Sequence, residues 1–332
     1  MAGKTTLRHV LSQQKPFIRC ATTATKNTVY TKWPKLGKSV TIWDDFNLDN
    51  LNESYGHVLD FDVPERFLVG PPLGQALAGV VINTTEDICH LISWNDGLLR
   101  PSLQLAKSHL RLYPGIVLRH RHSTADKSVF AKIPNGPKKL LVDHVIALDD
   151  FLGRIWWLVL GGRVRSGAAE HLQLANICKY AQTRYGYIQT DEDLVVCCFS
   201  KNAENWKVAI MPIPWSRNGV DVLTTDLALW WLCMLAMSVH HNRAIVEEGE
   251  MIKINEWDVI YLDEERGWVR RHQYSNIEEP TSPPPPDYRT PSPGNAAAFA
   301  AGAGVHAFDW FNIERTNDAI LGDLGDLDFH LT

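Results

Sequence analysis

The sequence predicts a mixed α/β domain, in which a mixed β-sheet core is flanked by helices, with tails of different composition on both sides. With 332 residues, 45% of them hydrophobic, the chain can bury a substantial core. Its middle part alternates short runs rich in Val, Ile and Trp with stretches of helical periodicity, and its ends lack this pattern. The predicted parts are a basic, unfolded tail at 1–40, one domain at 41–275 with its core at about 84–241, a Pro/Ala/Gly-rich linker at 276–305 and an acidic-aromatic segment at 306–332.

The N-terminal segment is basic, because Asp44 is the first acidic residue of the chain. Eight basic side chains precede it: Lys4, Arg8, Lys15, Arg19, Lys26, Lys32, Lys35 and Lys38. An acid-free segment rich in Arg, Ser and Thr is also typical of organellar transit peptides. Since Pro16 interrupts its one amphipathic stretch, we favour a solvated basic tail over an organellar address.

Two helices are predicted in the first half of the domain. Residues 84–94 begin with threonines and two acidic residues, which suit the start of a helix, and continue with apolar residues at helical spacing. Proline is favourable in a first helical turn, so a second helix is expected after Pro101, ending at Pro114-Gly115.

The middle of the chain changes to strand signals. Residues 139–148 and 154–161 are apolar runs separated by the turn-forming Asp149 and Asp150, which predicts a β-hairpin. An Ala-rich amphipathic helix is expected at 168–183. Three further strands are predicted, at 184–190, 193–200 and 206–215.

The last part of the domain combines a helix and a strand. Residues 223–241 are apolar almost all round after a Thr-Asp start, which predicts a buried core helix, and a last strand is expected at 255–263. The order helix, hairpin, helix, strands, helix is that of a sheet covered by helices. We expect regular structure to end after about Ser275.

The C-terminal region has two parts. The linker carries Ser282, Thr290 and Ser292 in Ser/Thr-Pro dipeptides, and it is too rich in Pro, Ala and Gly to bury enough surface to fold. The last segment alternates acidic and large apolar side chains, which is typical of a short segment that folds in the groove of a protein partner. A solvated terminus, or one docked on its own domain, fits the same pattern.

Composition and motifs exclude several classes of protein. The formal net charge of -5 and the pI of 6.2 argue against nucleic-acid binding over the whole surface, although basic residues cluster locally. The six cysteines form no CxxC pair, which favours buried reduced thiols over structural zinc. The apolar run at 227–237 is too short to span a bilayer, so we expect an intracellular protein, nuclear or cytoplasmic, without a membrane partner. No P-loop, GxSxG or dinucleotide-binding glycine pattern occurs.

The predicted hairpin carries one arrangement that suits chemistry. Metal-dependent phosphodiester cleavage uses an acidic residue on one strand and an acid-x-Lys sequence at the end of a second strand. The two carboxylates hold the divalent ion, and the lysine stabilises charge at the phosphate. Asp143 lies in the first strand of the hairpin, and Gly162 lies at the end of the second.

The run AEHLQLANICKYAQTRYGYIQTDEDLVVCCF, with the later IPW and TTDLALWWLCMLAM, resembles a family of fungal proteins with a PD-(D/E)XK, restriction-endonuclease-like nuclease fold. Members typically show a Pro-Asp-Trp-like strand, a Gly-Asp-x-Lys-like strand end, a helix with a glutamine facing the site, and a Tyr-Gly-Tyr strand. The resemblance covers roughly 140–239 and is strongest at 173–196. It is weakest in the two strands that would carry catalysis.

The resemblance implies roles for individual residues. Asp143 matches the first metal carboxylate, Gln173 the helix glutamine and Glu86 the upstream glutamate. Gly162 stands where the second aspartate belongs, and the lysine position falls on Val164. One carboxylate without the lysine does not assemble the usual magnesium site. We therefore expect a catalytically degenerate site with no cofactor, and Mg²⁺ on Asp143 only if activity survives.

Arginines flank the altered strand end. Guanidinium groups suit phosphate geometry, so they permit binding of a nucleic-acid backbone without cutting. The candidates are Arg163, Arg165, Arg154, Arg119 and Arg121. A solvated strand end explains the same residues.

Three hypotheses about function follow. The first is a degenerate nuclease-like protein that binds a nucleic-acid backbone and is not an enzyme. The second is an intracellular scaffold that recruits protein partners through the linker and the acidic-aromatic segment. The third, ranked last, is an active Mg²⁺-dependent nuclease. His120 and His122 alternate in the sequence RHRH and would suit a metal if that stretch were a strand, but we do not expect a metal there.

Overall fold

The computed structural model describes residues 4–20, 36–64, 77–124, 129–131, 140–149, 155–163, 170–203, 205–239, 243–285 and 287. The chain divides into two units, 1–294 and 295–332, and all described residues belong to the first. The predicted acidic-aromatic segment and much of the predicted linker lie outside the described residues.

Helices and strands alternate along the described chain. The helices are α1 (Leu7–Leu11), α2 (Leu48–Leu59), α3 (Cys89–His109), α4 (Glu170–Ala181) and α5 (Thr225–Ala236). The strands are β1 (Lys4–Thr6), β2 (Arg19–Cys20), β3 (Leu36–Ile42), β4 (Asp62–Pro64), β5 (Val81–Ile82), β6 (Val117–His122), β7 (Val129–Ala131), β8 (Leu140–Val142), β9 (His144–Asp149), β10 (Ile155–Arg163), β11 (Tyr185–Gln189), β12 (Asp193–Asn202), β13 (Asn205–Pro214), β14 (Trp257–Tyr261), β15 (Trp268–His272) and β16 (Glu278–Pro280).

A mixed sheet of seven strands forms the centre of the described region, in the order β3-β13-β12-β11-β10-β9-β6. β9 and β10 are the predicted hairpin, and they pair antiparallel with a register shift between Trp157 and Val159. β10 pairs in parallel with β11, and α4 provides the crossover that a parallel pair requires. The prediction of a mixed sheet flanked by helices is therefore confirmed.

Helices cover both faces of this sheet. On one face, Leu174 of α4 packs in a core cluster with Leu160 and Ile188 of the strands. On the other face, α3 and α5 contribute to a larger core that also contains Ile146 of β9. Every residue of α5 is buried, as its nearly all-round apolar sequence predicts.

The first two predicted helices form a single helix of 21 residues, α3, which follows a 3-10 turn at Glu86–Ile88 and continues through Pro101. The prediction that Pro101 starts a new helix was wrong. A proline inside a helix leaves the carbonyl four residues earlier without its partner. That residue is Gly97, which is exposed, so water can satisfy its carbonyl while the opposite side of the helix stays buried.

Part of the expected basic tail is packed into the domain. β1 pairs with β4, and Leu7 and Leu11 of α1 are fully buried. Lys15 is also buried, with its ammonium nitrogen 3.0 Å from the carboxylate of Asp226. The prediction of a solvated segment was wrong for residues 4–20, because apolar residues of α1 join the core and a basic residue finds a buried acidic partner.

Regular structure also continues beyond Ser275. β14, β15 and β16 form a separate antiparallel sheet of three strands. On β16, Glu278 pairs with Arg271 at 2.6 Å, and Glu279 pairs with Arg270 at 2.5 Å. The expected end of order was placed too early, because these cross-strand ion pairs hold residues that precede the proline-rich stretch.

None of the six cysteines, all of which the structure describes, forms a disulfide bond. Five of them are buried, as expected for reduced structural thiols, whereas Cys20 is exposed. Among the described residues, no helix combines the length and the apolar character needed to cross a lipid bilayer.

Candidate functional site

Asp143 lies between β8 and β9, at the hairpin end where the sequence predicts a site. Its carboxylate accepts a hydrogen bond from the backbone amide of Arg163 at 3.1 Å, and its other oxygen lies 3.0 Å from Nε of the same arginine. The Arg163 side chain is 8% exposed. A fixed positive charge of the protein therefore already neutralises Asp143.

Among the described residues, the positions matched to the nuclease family do not bring further carboxylates to Asp143. The side chain of Glu86 is exposed, and it is the backbone carbonyl of Glu86 that accepts a bond from Arg163 at 3.0 Å. Gln173 is exposed on α4. At Gly162 an added Cβ would meet no atom within 4 Å, so the position expected for a second carboxylate is open space. Mg²⁺ needs several oxygen ligands, and the family-matched positions in the described part of the chain offer it one carboxylate, which already holds an arginine.

Of the arginines expected at the hairpin end, the structure describes Arg163, and its guanidinium group is already occupied by contacts within the protein. Arg163 is held by Asp143 and also donates to the backbone carbonyl of Thr124 at 3.4 Å. Arg154, Val164 and Arg165 lie outside the described residues. The predicted role of Arg163 in phosphate binding would require this arginine to leave its carboxylate.

The RHRH stretch is a strand, β6, at the edge of the sheet in the described region. Its alternation exposes Arg119 and Arg121 and turns His120 and His122 towards the interior. Arg119 lies 2.5 Å from the carboxylate of Asp149, while Arg121 has no ion pair among the described residues. The arginines therefore face solvent, and the histidines face α3.

A polar cluster that sequence analysis missed lies between β6, β9 and α3. Oδ1 of Asp96, on α3, accepts hydrogen bonds from Nδ1 of His120 at 2.8 Å and from Nε2 of His144 at 3.0 Å, with the ring protons assigned from this network. One potential ligand atom from each of the three residues lies within 4.8 Å of the other two. The three side chains are at most 3% exposed.

Two more basic side chains approach the same carboxylate. Arg100 donates to Oδ2 of Asp96 at 2.9 Å, and Nε2 of His122 lies 3.9 Å from that oxygen. Nε2 of His120 is buried, and among the described residues it has no hydrogen-bond partner. Hydrogen bonding within the cluster therefore does not satisfy all of its polar atoms.

Tyr187 reaches the cluster because Gly161 has no side chain to block its ring. Gly161 is paired across β10 with His144 on one neighbouring strand and with Tyr187 on the other. An added Cβ at Gly161 would lie 2.4 Å from the Tyr187 ring, so any larger residue would displace that ring. The Tyr187 hydroxyl lies 2.6 Å from Nδ1 of His144. The first glycine of the Gly-Gly pair therefore makes room for the ring that orients the histidine.

Burial and hydrogen bonding act in opposite directions on the charges of this cluster. Burial by itself raises the pKa of Asp96, but hydrogen bonds from His120 and His144 outweigh it and hold that pKa well below its ordinary value. Burial lowers the pKa of His144, although Asp96 opposes the effect. Burial raises the pKa of Tyr187 well above its ordinary value, and the charges of Asp96 and Asp143 add to this. At neutral pH the cluster therefore contains a carboxylate, a neutral imidazole at His144 and a neutral phenol.

Sequence analysis missed Asp96 because Asn-Asp-Gly is typical of a turn, so the helix was predicted to end at 94. The available signal was the spacing of Ile92, Asp96 and Leu99, which places a carboxylate on the apolar face of a continuous helix. His120 was considered for metal binding, but its strand was not expected. His144 was not predicted as a site residue, because the family motif points to Asp143, its neighbour in sequence.

Comparison of the chain with models of protein families, with curated proteins and with solved structures finds no match. Function must accordingly be argued from the residues of the site. Two imidazoles and one carboxylate offer nitrogen and oxygen ligands of the kind that bind Zn²⁺ and related ions, whereas Mg²⁺ prefers oxygen ligands alone.

Proposed function

We propose that this chain is a PD-(D/E)XK nuclease-like protein that has lost phosphodiester cleavage and contacts a nucleic-acid backbone through the exposed arginines of β6. The observation that carries the proposal is the pairing of Asp143 with Arg163. In this arrangement the protein's own cation takes the carboxylate that would otherwise hold a divalent ion. Without a metal ion or a free lysine, neither the attacking water nor the phosphate charge is stabilised.

The order of the elements supports the resemblance behind this proposal. The acidic position, Asp143, immediately precedes β9, and β10 ends in the altered Gly-Gly-Arg sequence. α4 follows, and β11 then begins with Tyr-Gly-Tyr and pairs in parallel with β10. This is the succession of strand, strand end, helix and Tyr-Gly-Tyr strand that is typical of the family.

The exposed face of β6 supports the backbone-binding part of the proposal. Arg119 and Arg121 are two residues apart in an extended strand, so their guanidinium groups project from the same face about 7 Å apart at their Cα atoms. Arginine forks bind phosphate oxygens in a bidentate manner. Asp149 holds Arg119 in the unbound protein, and a phosphate would compete with it.

The experiment that tests this proposal measures binding and cleavage of labelled single- and double-stranded DNA and RNA by the full chain, with Mg²⁺ or Mn²⁺. We expect no cleavage, and binding that falls steeply with salt. The double variant Arg119→Ala/Arg121→Ala should lower the slope of log K against log salt by about 1 to 2, since each lost phosphate contact contributes about 0.9. The exposed Arg217, after β13, provides the matched control variant Arg217→Ala, which should bind as the wild type does.

Two results would contradict the proposal. Cleavage that Asp143→Ala abolishes would show that the site is active. Absence of binding to all four nucleic acids at about 50 mM salt, where phosphate contacts are strongest, would remove the backbone-binding role.

A second candidate function, as a scaffold for protein partners, is favoured by the exposure of the chain after β16. Ser282, Pro283 and Pro285 are exposed immediately after the last paired strand. The sequence from 283 to 288 is PPPPDY, and four consecutive prolines favour the extended polyproline helix that aromatic-lined grooves of SH3 and WW domains bind. The acidic-aromatic segment at 306–332 remains a predicted second contact.

The scaffold function is tested with purified SH3 and WW domains titrated with the full chain. Replacing Pro283 and Pro285 by alanine should weaken binding by about 10-fold or more, because each proline fills a groove of the partner and preorganises the helix. Deleting 306–332 tests the second contact and should leave the melting curve unchanged. Equal binding by the double alanine variant would contradict the role of the prolines.

A further inference from the structure

We propose that Asp96, His120 and His144 form a binding site for a divalent transition-metal ion, for which Zn²⁺ is the best match. The three residues come from α3, β6 and β9, so the ion would join one helix to two neighbouring strands of the sheet. The site is separate from the Asp143–Arg163 pair, and none of its three ligands is a residue matched to the nuclease family, although Tyr187 of the Tyr-Gly-Tyr strand supports His144. It therefore stands whether or not the proposed nuclease ancestry is correct.

Two of the distances within the cluster are slightly shorter than those between zinc ligands, and one potential ligand atom from each residue lies within 4.8 Å of the other two. Zn²⁺ is held at about 2.0–2.2 Å from nitrogen and oxygen ligands, which places tetrahedral ligand atoms about 3.3 Å apart. The nitrogens of His120 and His144 now lie 2.8 and 3.0 Å from Oδ1 of Asp96. An opening of about half an ångström would replace the two hydrogen bonds by metal-ligand bonds.

The histidines can present lone pairs to the ion without losing a proton to solvent. A neutral imidazole carries one proton, which moves from one ring nitrogen to the other when the first nitrogen binds a metal. In His144 the proton would move from Nε2 to Nδ1, where the Tyr187 hydroxyl lies 2.6 Å away. That hydroxyl donates to Nδ1 in the hydrogen-bonded state and would accept from it in the metal-bound state.

Neighbouring side chains orient the ligands. Metal-binding histidines usually hold a hydrogen bond through their second nitrogen, and Tyr187 provides this bond for His144. Arg100 binds Oδ2 of Asp96 and so leaves Oδ1 directed at the two histidines. The contacts of Tyr187 and Arg100 therefore hold His144 and Asp96 in orientations suited to binding an ion.

The open side of the site is marked by His122. Its side chain is 31% exposed, and its Nε2 lies 3.9 Å from Oδ2 of Asp96. An ion can therefore enter from the side of β6, with His122 or a water molecule as an additional ligand. Imidazole ligands favour Zn²⁺, and Co²⁺ as its spectroscopic substitute, over Mg²⁺.

The test titrates the tag-free full chain with Zn²⁺ by calorimetry and with Co²⁺ by visible absorption. The chain carries Cys20→Ser, because Cys20 is the exposed thiol and would bind these ions on its own. We expect one ion per chain, Co²⁺ bands typical of nitrogen and oxygen ligands, and no binding of Mg²⁺. Asp96→Asn and His120→Gln should each weaken binding by about 100-fold or more, since loss of a ligand exceeds the 10- to 100-fold effect of a supporting residue.

The matched control is His90→Ala, which removes an exposed histidine from the same helix and should bind as the parent does. Circular dichroism of each variant shows whether it folds. If the ligand variants fail to fold, the parent chain decides, because saturating Zn²⁺ should raise its melting temperature by about 5 °C or more. Absence of binding and of this shift in the parent, or equal binding by folded ligand variants, would overturn the proposal.

Discussion

Two carboxylates near the start of β9 differ in how their two oxygens are held. Asp143 is held by the guanidinium group of Arg163, so its charge is cancelled by a side chain that cannot be removed by titration. Asp96 also pairs with an arginine, Arg100, but only through Oδ2; its Oδ1 accepts hydrogen bonds from two imidazoles, which could exchange those bonds for a metal ion. The residue matched to a family motif is therefore not the one that the structure surrounds with potential metal ligands.

Removing Asp96 should reduce the stability of the fold much more than removing Asp143. Asp96→Ala leaves His120, His144 and Arg100 without their common acceptor, and we expect it to lower the free energy of unfolding by about 3–5 kcal/mol. Asp143→Ala, at a more exposed pair, should cost about 1–2 kcal/mol. Urea unfolding of the two variants measures both values. An Asp143→Ala variant as unstable as Asp96→Ala would contradict the comparison.

The two adjacent glycines provide a matched pair of substitutions. Gly161→Ala places a Cβ against the Tyr187 ring and should destabilise the fold by about 2 kcal/mol. Gly162→Ala meets open space and should change the free energy of unfolding by less than about 0.5 kcal/mol. Both are measured by the same urea titration, and equal effects at the two positions would show that Tyr187 does not depend on Gly161.

Removing one hydroxyl tests the support of His144. Tyr187→Phe keeps the ring over Gly161 but removes the partner of Nδ1, so we expect a loss of about 1–2 kcal/mol in unfolding free energy. It should also weaken Zn²⁺ binding by about 10-fold, as loss of a supporting hydrogen bond does at metal sites. Calorimetric titration with Zn²⁺ checks this. Unchanged affinity would mean that the tyrosine does not orient the ligand.

Local sequence patterns were sufficient to predict most of the fold but little of the site. The hairpin, α4, β11 to β13 and α5 follow from runs of apolar residues whose period is visible over a few positions. The cluster depends on contacts between residues far apart in sequence, such as Asp96 and His144, which are 48 positions apart. No local period reports such a contact. For the same reason, sequence patterns predicted Arg163 as a phosphate ligand and did not predict its ion pair with Asp143, which is 20 positions away.

The smallest expected effect concerns an attempt to rebuild the nuclease arrangement. Gly162→Asp adds a carboxylate where a Cβ meets open space, so stability should change by less than about 1 kcal/mol. We expect no Mg²⁺-dependent cleavage of labelled DNA or RNA, because Arg163 still neutralises Asp143. Cleavage by this variant would show that the missing carboxylate alone had silenced the site.

The most direct measurement of the contrast between the two carboxylates is anomalous diffraction from crystals of the chain soaked in Zn²⁺. We expect one anomalous peak about 2.0–2.2 Å from the ligand atoms of Asp96, His120 and His144, and none at Asp143, whose arginine stays in place. A peak on Asp143 with Arg163 displaced, or an empty cluster at saturating Zn²⁺, would contradict this expectation.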